Sequence, residues 1–498
     1  MRTQGEFTQN TDSDGRHKSA PKACRANNRW LRYLARTLPL LALLLLTAPA
    51  LAARPNVLLI VSDDQRPDTI HALGNDLIDT PNLDRLAREG CAFTRATCGN
   101  PICTPSRAEI LTGSCSFRNG VNDFGRKIAP DIPLMPRWFQ DAGYQTWYVG
   151  KWHNDGTPIE RGYDRTNGLY RGGGGKWYKP QIDFADRPVT GYRGWIFQND
   201  KGEKFPDLGV GLTGDISAKF ADAAIELLEQ ESDKPFFLHV NFTAPHDPLM
   251  LPTGYETKYS PSDMKLPANF LVEHPFDHGN FDGRDEKLFK WPRTSAETRA
   301  EIAAYYAVIS HMDAQIGRML DALKSSGRLK NTIVVFGSDH GLGVGSHGLR
   351  GKQSMYEHTI GVPLLMRGPG IPQGKRHAAQ CYMRDIFPTV ADLCGVSIPD
   401  AIDGRSLKPV IDGKREEVHP FVVGYFRNFQ RMIRQGDWKY IEYPAVKKRQ
   451  LFNLKTDPNE LTNLADSKKY AENRNALQKA MHTWLAERGD PLFVEGSK

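Results

Sequence analysis

Cys103-Thr104-Pro105-Ser106-Arg107-Ala108-Glu109-Ile110-Leu111-Thr112-Gly113 opens with a thiol and a proline and closes on a glycine. Proline is tolerated in the first turn of a helix and glycine favours the position just past its end. The stretch therefore predicts a proline-containing turn that enters a helix, with a small buried thiol at Cys103. Taken alone it describes nothing more. The segments around it give Cys103 its meaning.

Upstream, Asn56-Val57-Leu58-Leu59-Ile60-Val61-Ser62 is a short continuous apolar run rich in β-branched residues, the pattern of a strand buried on both faces. It ends in Asp63-Asp64, at the carboxyl end of a strand, where open α/β sheets place their ligands. Adjacent carboxylates repel unless a cation lies between them, so a hard divalent metal is one expectation and a solvated loop or helix cap the other. Downstream, Gly143-Tyr144-Gln145-Thr146-Trp147-Tyr148-Val149-Gly150-Lys151-Trp152-His153 predicts a strand that delivers Lys151 and His153, two residues apart, to one side. Phe236 to Phe242 is a further buried strand, followed by His246 between Pro245 and Asp247-Pro248. Asn331 to Phe336 is another, closing in Ser338-Asp339-His340-Gly341 and a glycine-rich loop that carries Ser346, His347 and Lys352. Strands alternating with helical segments, such as the amphipathic stretch Glu301 to Leu323, predict an α/β architecture.

Two of these segments carry a resemblance. Residues 103–113 match the sulfatase signature C-x-P-S-R-x-x-x-L-T-G, and residues 143–153 match the second one, G-Y-x-T-x-x-x-G-K-x-H, at every fixed position. The chain resembles the formylglycine-dependent (type I) sulfatases of the alkaline phosphatase-like superfamily from Asn56 to its final helix. That resemblance implies a large, mostly parallel mixed sheet sandwiched by helices, with a small C-terminal α+β subdomain on a short antiparallel sheet. It implies that Cys103 is oxidised to formylglycine by a dedicated enzyme acting on the unfolded chain. Asp63, Asp64, Asp339 and His340, with the modified Cys103, correspond to the metal ligands. His340 stands where many members have Asn, and its imidazole is a softer donor than an amide oxygen, although the oxygen-rich set still favours Ca²⁺. Arg107, Lys151 and Lys352 correspond to residues that neutralise the sulfate oxygens, His246 to the acid for the leaving alcohol, and His153 to the base that frees sulfate.

At 498 residues the chain exceeds one ordinary core. Arg29, Arg32 and Arg36 precede an apolar run from Leu38 to Leu51 that ends in Ala50-Leu51-Ala52, which predicts a secretory signal peptide over residues 1–52. Those residues carry eight Lys/Arg and three Asp/Glu, +5 of the net +7, so the basic excess is targeting sequence and gives no support to nucleic-acid binding. The expected location is periplasmic or extracellular, with no membrane anchor after processing, since the run of about 14 residues is shorter than the roughly 20 needed to span a bilayer. Seven cysteines include Cys24 in the leader and Cys103, leaving five, an odd number for which no disulfide is assigned.

The expected division is a catalytic domain over 53–404 and a C-terminal subdomain over 405–498. Within the first, residues 154–214 are rich in Gly, Tyr and Trp without a sustained period and read as a loop-built insertion bordering the cleft; Tyr170, Trp177, Tyr178 and Trp195 could stack on sugars or simply pack the loops. Residues 265–295, with His274, Asp277, His278, Arg284 and Asp285, read either as substrate contacts or as a solvated loop. The expected activity is hydrolysis of an O-sulfate ester, of a sulfated carbohydrate in the first place. The competing readings are a phosphonate or phosphate monoester hydrolase of the same superfamily and a non-catalytic exported glycan-binding protein.

Overall fold

The seven residues of β1 (Asn56–Ser62) are buried without exception, and their alternate side chains enter two different cores. Leu58 and Ile60 face one, Val57, Leu59 and Val61 the other, which is the period-two consequence of a strand covered on both sides. This holds across a computed structural model that describes residues 54–494; the signal-peptide reading of 1–52 lies outside the described residues. Among the described residues no helix is long and apolar enough to cross a membrane.

Eight further strands join β1: β2 (Cys91–Thr97), β3 (Gln145–Lys151), β4 (Arg165–Arg171), β5 (Ile196–Gln198), β6 (Phe236–Asn241), β7 (Thr332–Ser338), β8 (Leu364–Arg367) and β9 (Lys375–Tyr382). Their order is β5-β4-β3-β6-β1-β7-β8-β2-β9. The central run from β4 to β7 is parallel, while β5 and β8 pair antiparallel with their neighbours. Helices Pro81–Glu89, Ile216–Leu228 and Ser295–Ser325 cover one face through Leu83, Phe220, Ile309, Met312 and Ile316. Helices Cys103–Thr112, Met135–Asp141 and Ile386–Leu393 cover the other through Ala108, Ile110, Phe139 and Val390. The long helix starts six residues before the expected Glu301, because Thr294 caps it by accepting from Glu297 N at 3.2 Å.

The second sheet is an antiparallel ladder of β10 (Val422–Phe426), β11 (Gln430–Gln435), β12 (Trp438–Tyr443) and β13 (Lys448–Asn453). One face packs Val423, Ile433 and Leu451 against the closing helix Ala471–Glu487 through Leu477, Met481 and Leu485. The other sets Met432, Ile441 and Phe452 against Ile102, Leu349, Met355 and Ile360 of the large sheet's loops. Ile102, the residue preceding Cys103, thus shares one buried cluster with the small sheet.

Two elements differ from the sequence expectation. Residues 154–214 are not loop alone, since β4 and β5 extend the large sheet there. The run Arg-Thr-Asn-Gly-Leu-Tyr-Arg is polar and holds Gly168 at φ 58°, so pairing with β3 on one side and β5 on the other, rather than an apolar pattern, makes it a strand. The segment 265–295 is not solvated throughout: His274 and His278 are buried. All six described cysteines are free and buried.

Candidate active site

Cys103 is the first residue of its helix, and Arg107 follows one turn later on the same side. A thiol at a helix N-terminus lies in the positive end of the peptide dipoles. Burial pushes the Cys103 thiol up, yet Lys151, Lys352 and His340 together hold it well below its ordinary range. Each comes from a different segment. Lys352 Nζ donates to the Cys103 sulfur at 3.3 Å, to Asp64 Oδ1 at 2.9 Å and to His246 Nε2 at 2.7 Å. His340 Nε2 lies 3.4 Å from the same sulfur, and its Nδ1 lies 3.3 Å from Asp64 Oδ1.

The acidic pair sits at the end of β1, with Asp64 at φ 68°. That left-handed turn is held by Asp64 N donating to Asp339 Oδ1 at 3.1 Å and Asp63 N donating to Ala244 O at 3.0 Å. Asp63 Oδ2 accepts from Lys151 and, at 2.6 Å, from the Tyr192 hydroxyl. Burial would raise the Asp63 carboxyl; Lys151 and Arg107 outweigh it and hold the group ionised. Lys151 can reach because Gly150 precedes it at φ 94°, where a Cβ would collide with the Asn241 carbonyl.

Asp63 Oδ1 is buried and accepts no hydrogen bond; Arg107 Nη2 faces it as an ion pair at 3.4 Å, and a bound cation would supply a closer partner. One ligand atom from each of Asp63, Asp64, Cys103 and His340 lies within 4.8 Å of the others. This donor set fits a divalent cation. Asp339 stands differently. Its Oδ2 accepts from Arg107 Nε at 3.0 Å and its Oδ1 from two backbone amides, those of Asp64 and His340.

The centre opens into a cavity of about 470 Å³ walled by Cys103, His153, His246 and Lys352 on the reacting side and by Phe124, Trp195, Arg284 and Arg427 at the mouth. His153 lies between Trp195, 5.1 Å away edge-on, and Phe124, 5.7 Å away. Burial lowers the imidazole to about 4, although the Cys103 sulfur draws it up. His246 Nδ1 points back at the Asp247 carbonyl 2.5 Å away, which leaves Nε2 facing Lys352. Asp247 is in turn held by Arg284 at 2.6 Å and Arg350 at 3.2 Å.

The structure brings Asp63, Asp64, Cys103 and His340 together, connects Arg107, Lys151, His246 and Lys352 to them by ion pairs or hydrogen bonds, sets His153 in the wall of the same cavity, and holds Asp339 on Arg107 and backbone amides beside them. Sequence reasoning missed Tyr192, Asp247, Arg350 and Arg427. A conspicuous local pattern marks none of them; Asp247 beside His246 was the one available hint. Of the aromatics in 154–214, Trp195 lines the cavity while Tyr170 is core.

The family profile described as Sulfatase matches residues 55–396, and one described as N-sulphoglucosamine sulphohydrolase, C-terminal, matches residues 345–487. An arylsulfatase of Clostridium perfringens is 31% identical over 477 residues, covering 89% of this chain and 97% of its own. An N-acetylglucosamine-6-O-sulfatase of Bacteroides thetaiotaomicron is 28% identical, covering 86% of each chain. A solved structure of an enzyme in complex with its substrate D-glucosamine-2-N,6-O-disulfate superposes with a TM-score of 0.74 at 26% identity, over 89% of this chain and all of the other. A phosphonate monoester hydrolase of Agrobacterium radiobacter shares the fold, with a TM-score of 0.71 at 24% identity over 87% of this chain and 96% of its own. This chain belongs to the sulfatase family, with its alkaline phosphatase-like fold, and is an enzyme of that class.

Proposed function

We propose that this enzyme hydrolyses the O-sulfate ester of a sulfated carbohydrate, using a formylglycine made from Cys103 and a divalent cation, Ca²⁺ in the first place, held by Asp63, Asp64, Asp339, His340 and residue 103. The observation that carries the reading is the convergence of Lys352, Lys151 and His340 on the Cys103 sulfur beside Asp63 Oδ1, a buried carboxylate oxygen that accepts no hydrogen bond. A hydrated formylglycine supplies one hydroxyl to attack sulfur and a second whose deprotonation releases sulfate. A divalent cation supplies positive charge beside residue 103 and the sulfate.

The chain's own residues then divide the work. Lys151, Lys352 and Arg107, all buried, neutralise the sulfate oxygens without reorganising, which counts for most where water is excluded. Arg107 Nη1 is buried and unpartnered, as a donor reserved for an anionic oxygen would be. As the S–O bond to the sugar breaks, His246 Nε2 passes to the leaving alcohol the proton that Lys352 donates to it across 2.7 Å. His153, kept neutral by burial, accepts the proton from the second hydroxyl. Trp195 and Phe124 at the mouth supply apolar faces for a sugar ring. Phosphate and phosphonate monoesters offer the same tetrahedral anion to the same cations, so they are the competing substrates.

The proposal extends to maturation. A formylglycine-generating enzyme would act before folding, since Cys103 is buried in the folded chain. The leader over residues 1–52 would direct export to the periplasm or beyond, and the C-terminal subdomain would begin near residue 405. The test is mass spectrometry of the peptide containing Cys103 from the native host, together with turnover of paired aryl sulfate and aryl phosphate esters. The expected result is the mass change of CH₂SH to CHO, a preference for sulfate, and no turnover by Cys103→Ala of unchanged melting temperature. Sulfate hydrolysis by Cys103→Ala would overturn the mechanism.

A further inference from the structure

A second cavity, of about 940 Å³, lies between the small sheet and segment 271–276, and none of its lining residues belongs to the catalytic cavity. Its floor includes Tyr443 and Tyr356, and its rim is the β12–β13 turn with Lys447, Lys448 and Arg449. Lys447 turns the chain at φ 53°, which places three cations in succession on the exposed rim. The acidic residues on the walls are already occupied. Glu442 pairs with His482 at 2.8 Å, Glu460 with Lys439 at 2.7 Å, and Asp466 with Arg449 at 2.9 Å. Among the described residues no carboxylate lies in ion-pair range of Lys447 or Lys448, so the cavity presents two uncompensated cations. Lys448 Nζ lies 5.3 Å from the centre of the Phe276 ring, which leaves its charge on the cavity side of an aromatic wall.

Two buried polar atoms are unpartnered at the same place. His274 and His347 are among the residues around the cavity, with side chains 2% and 7% exposed, and the Nε2 of each is buried and has no hydrogen bond. His274 Nδ1 lies 2.8 Å from the His347 carbonyl, so it carries the proton and leaves Nε2 as an acceptor. The exposed lysines suit sulfate or carboxylate groups. The same segment reaches both cavities: Phe276 lines this one and Asn280 the catalytic one, and four residues of chain span at most about 14 Å.

We propose that the cavity rimmed by Lys447, Lys448 and Phe276 is a second binding site for a sulfated oligosaccharide, which holds the polymer while one of its residues occupies the catalytic cavity. The inference rests on the sulfated-carbohydrate reading above for its ligand, but its test is a binding measurement that needs no turnover. Short dextran sulfate is titrated calorimetrically into the full chain, with unsulfated dextran of the same length as a control. Wild type should bind the sulfated probe alone. Lys447→Ala/Lys448→Ala should weaken binding at least about tenfold, the loss expected when charge-assisted contacts are removed. Lys468→Ala/Lys469→Ala, an equal change in net charge at exposed positions elsewhere, should bind as wild type does. Turnover of a small aryl sulfate should be the same in all three proteins, since neither pair touches the catalytic cavity. Equal binding by the 447/448 variant, equal weakening by both variants, or no binding by wild type would each overturn the second site. Failure of wild type to hydrolyse any sulfate ester would instead overturn the proposed function and leave the binding result readable.

Discussion

Tyr192→Phe removes one hydroxyl and little else, and so isolates how the protein holds its proposed cation. The ring is 8% exposed and packs against Trp195 at 5.0 Å, His246 at 4.9 Å and Tyr170 at 6.3 Å, contacts that phenylalanine keeps. The hydroxyl donates to Asp63 Oδ2 at 2.6 Å, the oxygen that Lys151 also reaches. Without it, Asp63 loses one of the two donors to Oδ2 that hold Oδ1, which accepts no hydrogen bond, toward the centre. A hydrogen bond to a charged group contributes about 1.5–3 kcal/mol, and loss of a residue that orients a metal ligand weakens metal binding roughly 10–100-fold. Tyr192→Phe should therefore need about 10–100 times more Ca²⁺ for half-maximal activity, while kcat at saturating Ca²⁺ stays within a few-fold of wild type. The assay is turnover of an aryl sulfate against free Ca²⁺ after chelation and dialysis, with melting temperature followed in parallel. An unchanged Ca²⁺ midpoint would refute the positioning role, and a kcat loss that excess Ca²⁺ does not restore would mean that the hydroxyl acts on substrate instead.

Chelation of wild type should lower both activity and melting temperature, because the buried Asp63 and Asp64 lose their common counter-charge; indifference to EDTA would remove the metal from the site. Lys352→Ala takes away a cation that touches Asp64, His246 and residue 103, and should reduce kcat by about 10²–10³-fold, the cost of one preorganised electrostatic contact; a loss below tenfold in steady-state assays would contradict its role. Asp313, far along the chain, caps the helix Pro81–Glu89 by accepting from Leu83 N at 2.7 Å and Asn82 N at 3.1 Å, and burial pushes its carboxyl up to about 6. A raised acid binds its proton more tightly in the folded state, so its contribution is present below about pH 4 and is lost as pH rises through 6. The stability gap between wild type and Asp313→Asn should move by about 2–3 kcal/mol in the variant's favour between pH 4 and 7, read by denaturant unfolding, and a pH-independent gap would refute this.

The central strands were legible because they are buried on both faces. In β1, β6 and β7 each position must be apolar whichever way it points, and the resulting runs mark their own ends, where Asp63, His246 and Asp339 follow. The signature residues of the Cys103 helix and of β3 were legible for a related reason: Gly150 and Pro105 stand where backbone geometry admits few alternatives. Strands at and next to the sheet's edges had no such pattern. β5 and β9 at the edges, and β4 beside β5, alternate weakly or hold polar residues, and they are strands because a neighbour offers backbone to pair with. The helical stripe from Glu301 onward was visible, but its true start depended on one threonine side chain, a contact that periodicity does not register.

From the sequence alone came the central strands, the family resemblance and the titratable groups at their ends, since those follow from local burial and spacing. Only the tertiary structure decided which groups act on which. It placed Tyr192 on Asp63, Lys352 between Asp64, His246 and Cys103, and Asp339 on Arg107 as well as beside the acidic pair. It also drew the small sheet's rim and segment 271–276 around a second cavity. Such contacts join residues separated by tens to hundreds of positions, and electrostatic and hydrogen-bond energies depend on distances of a few ångströms that no local pattern encodes.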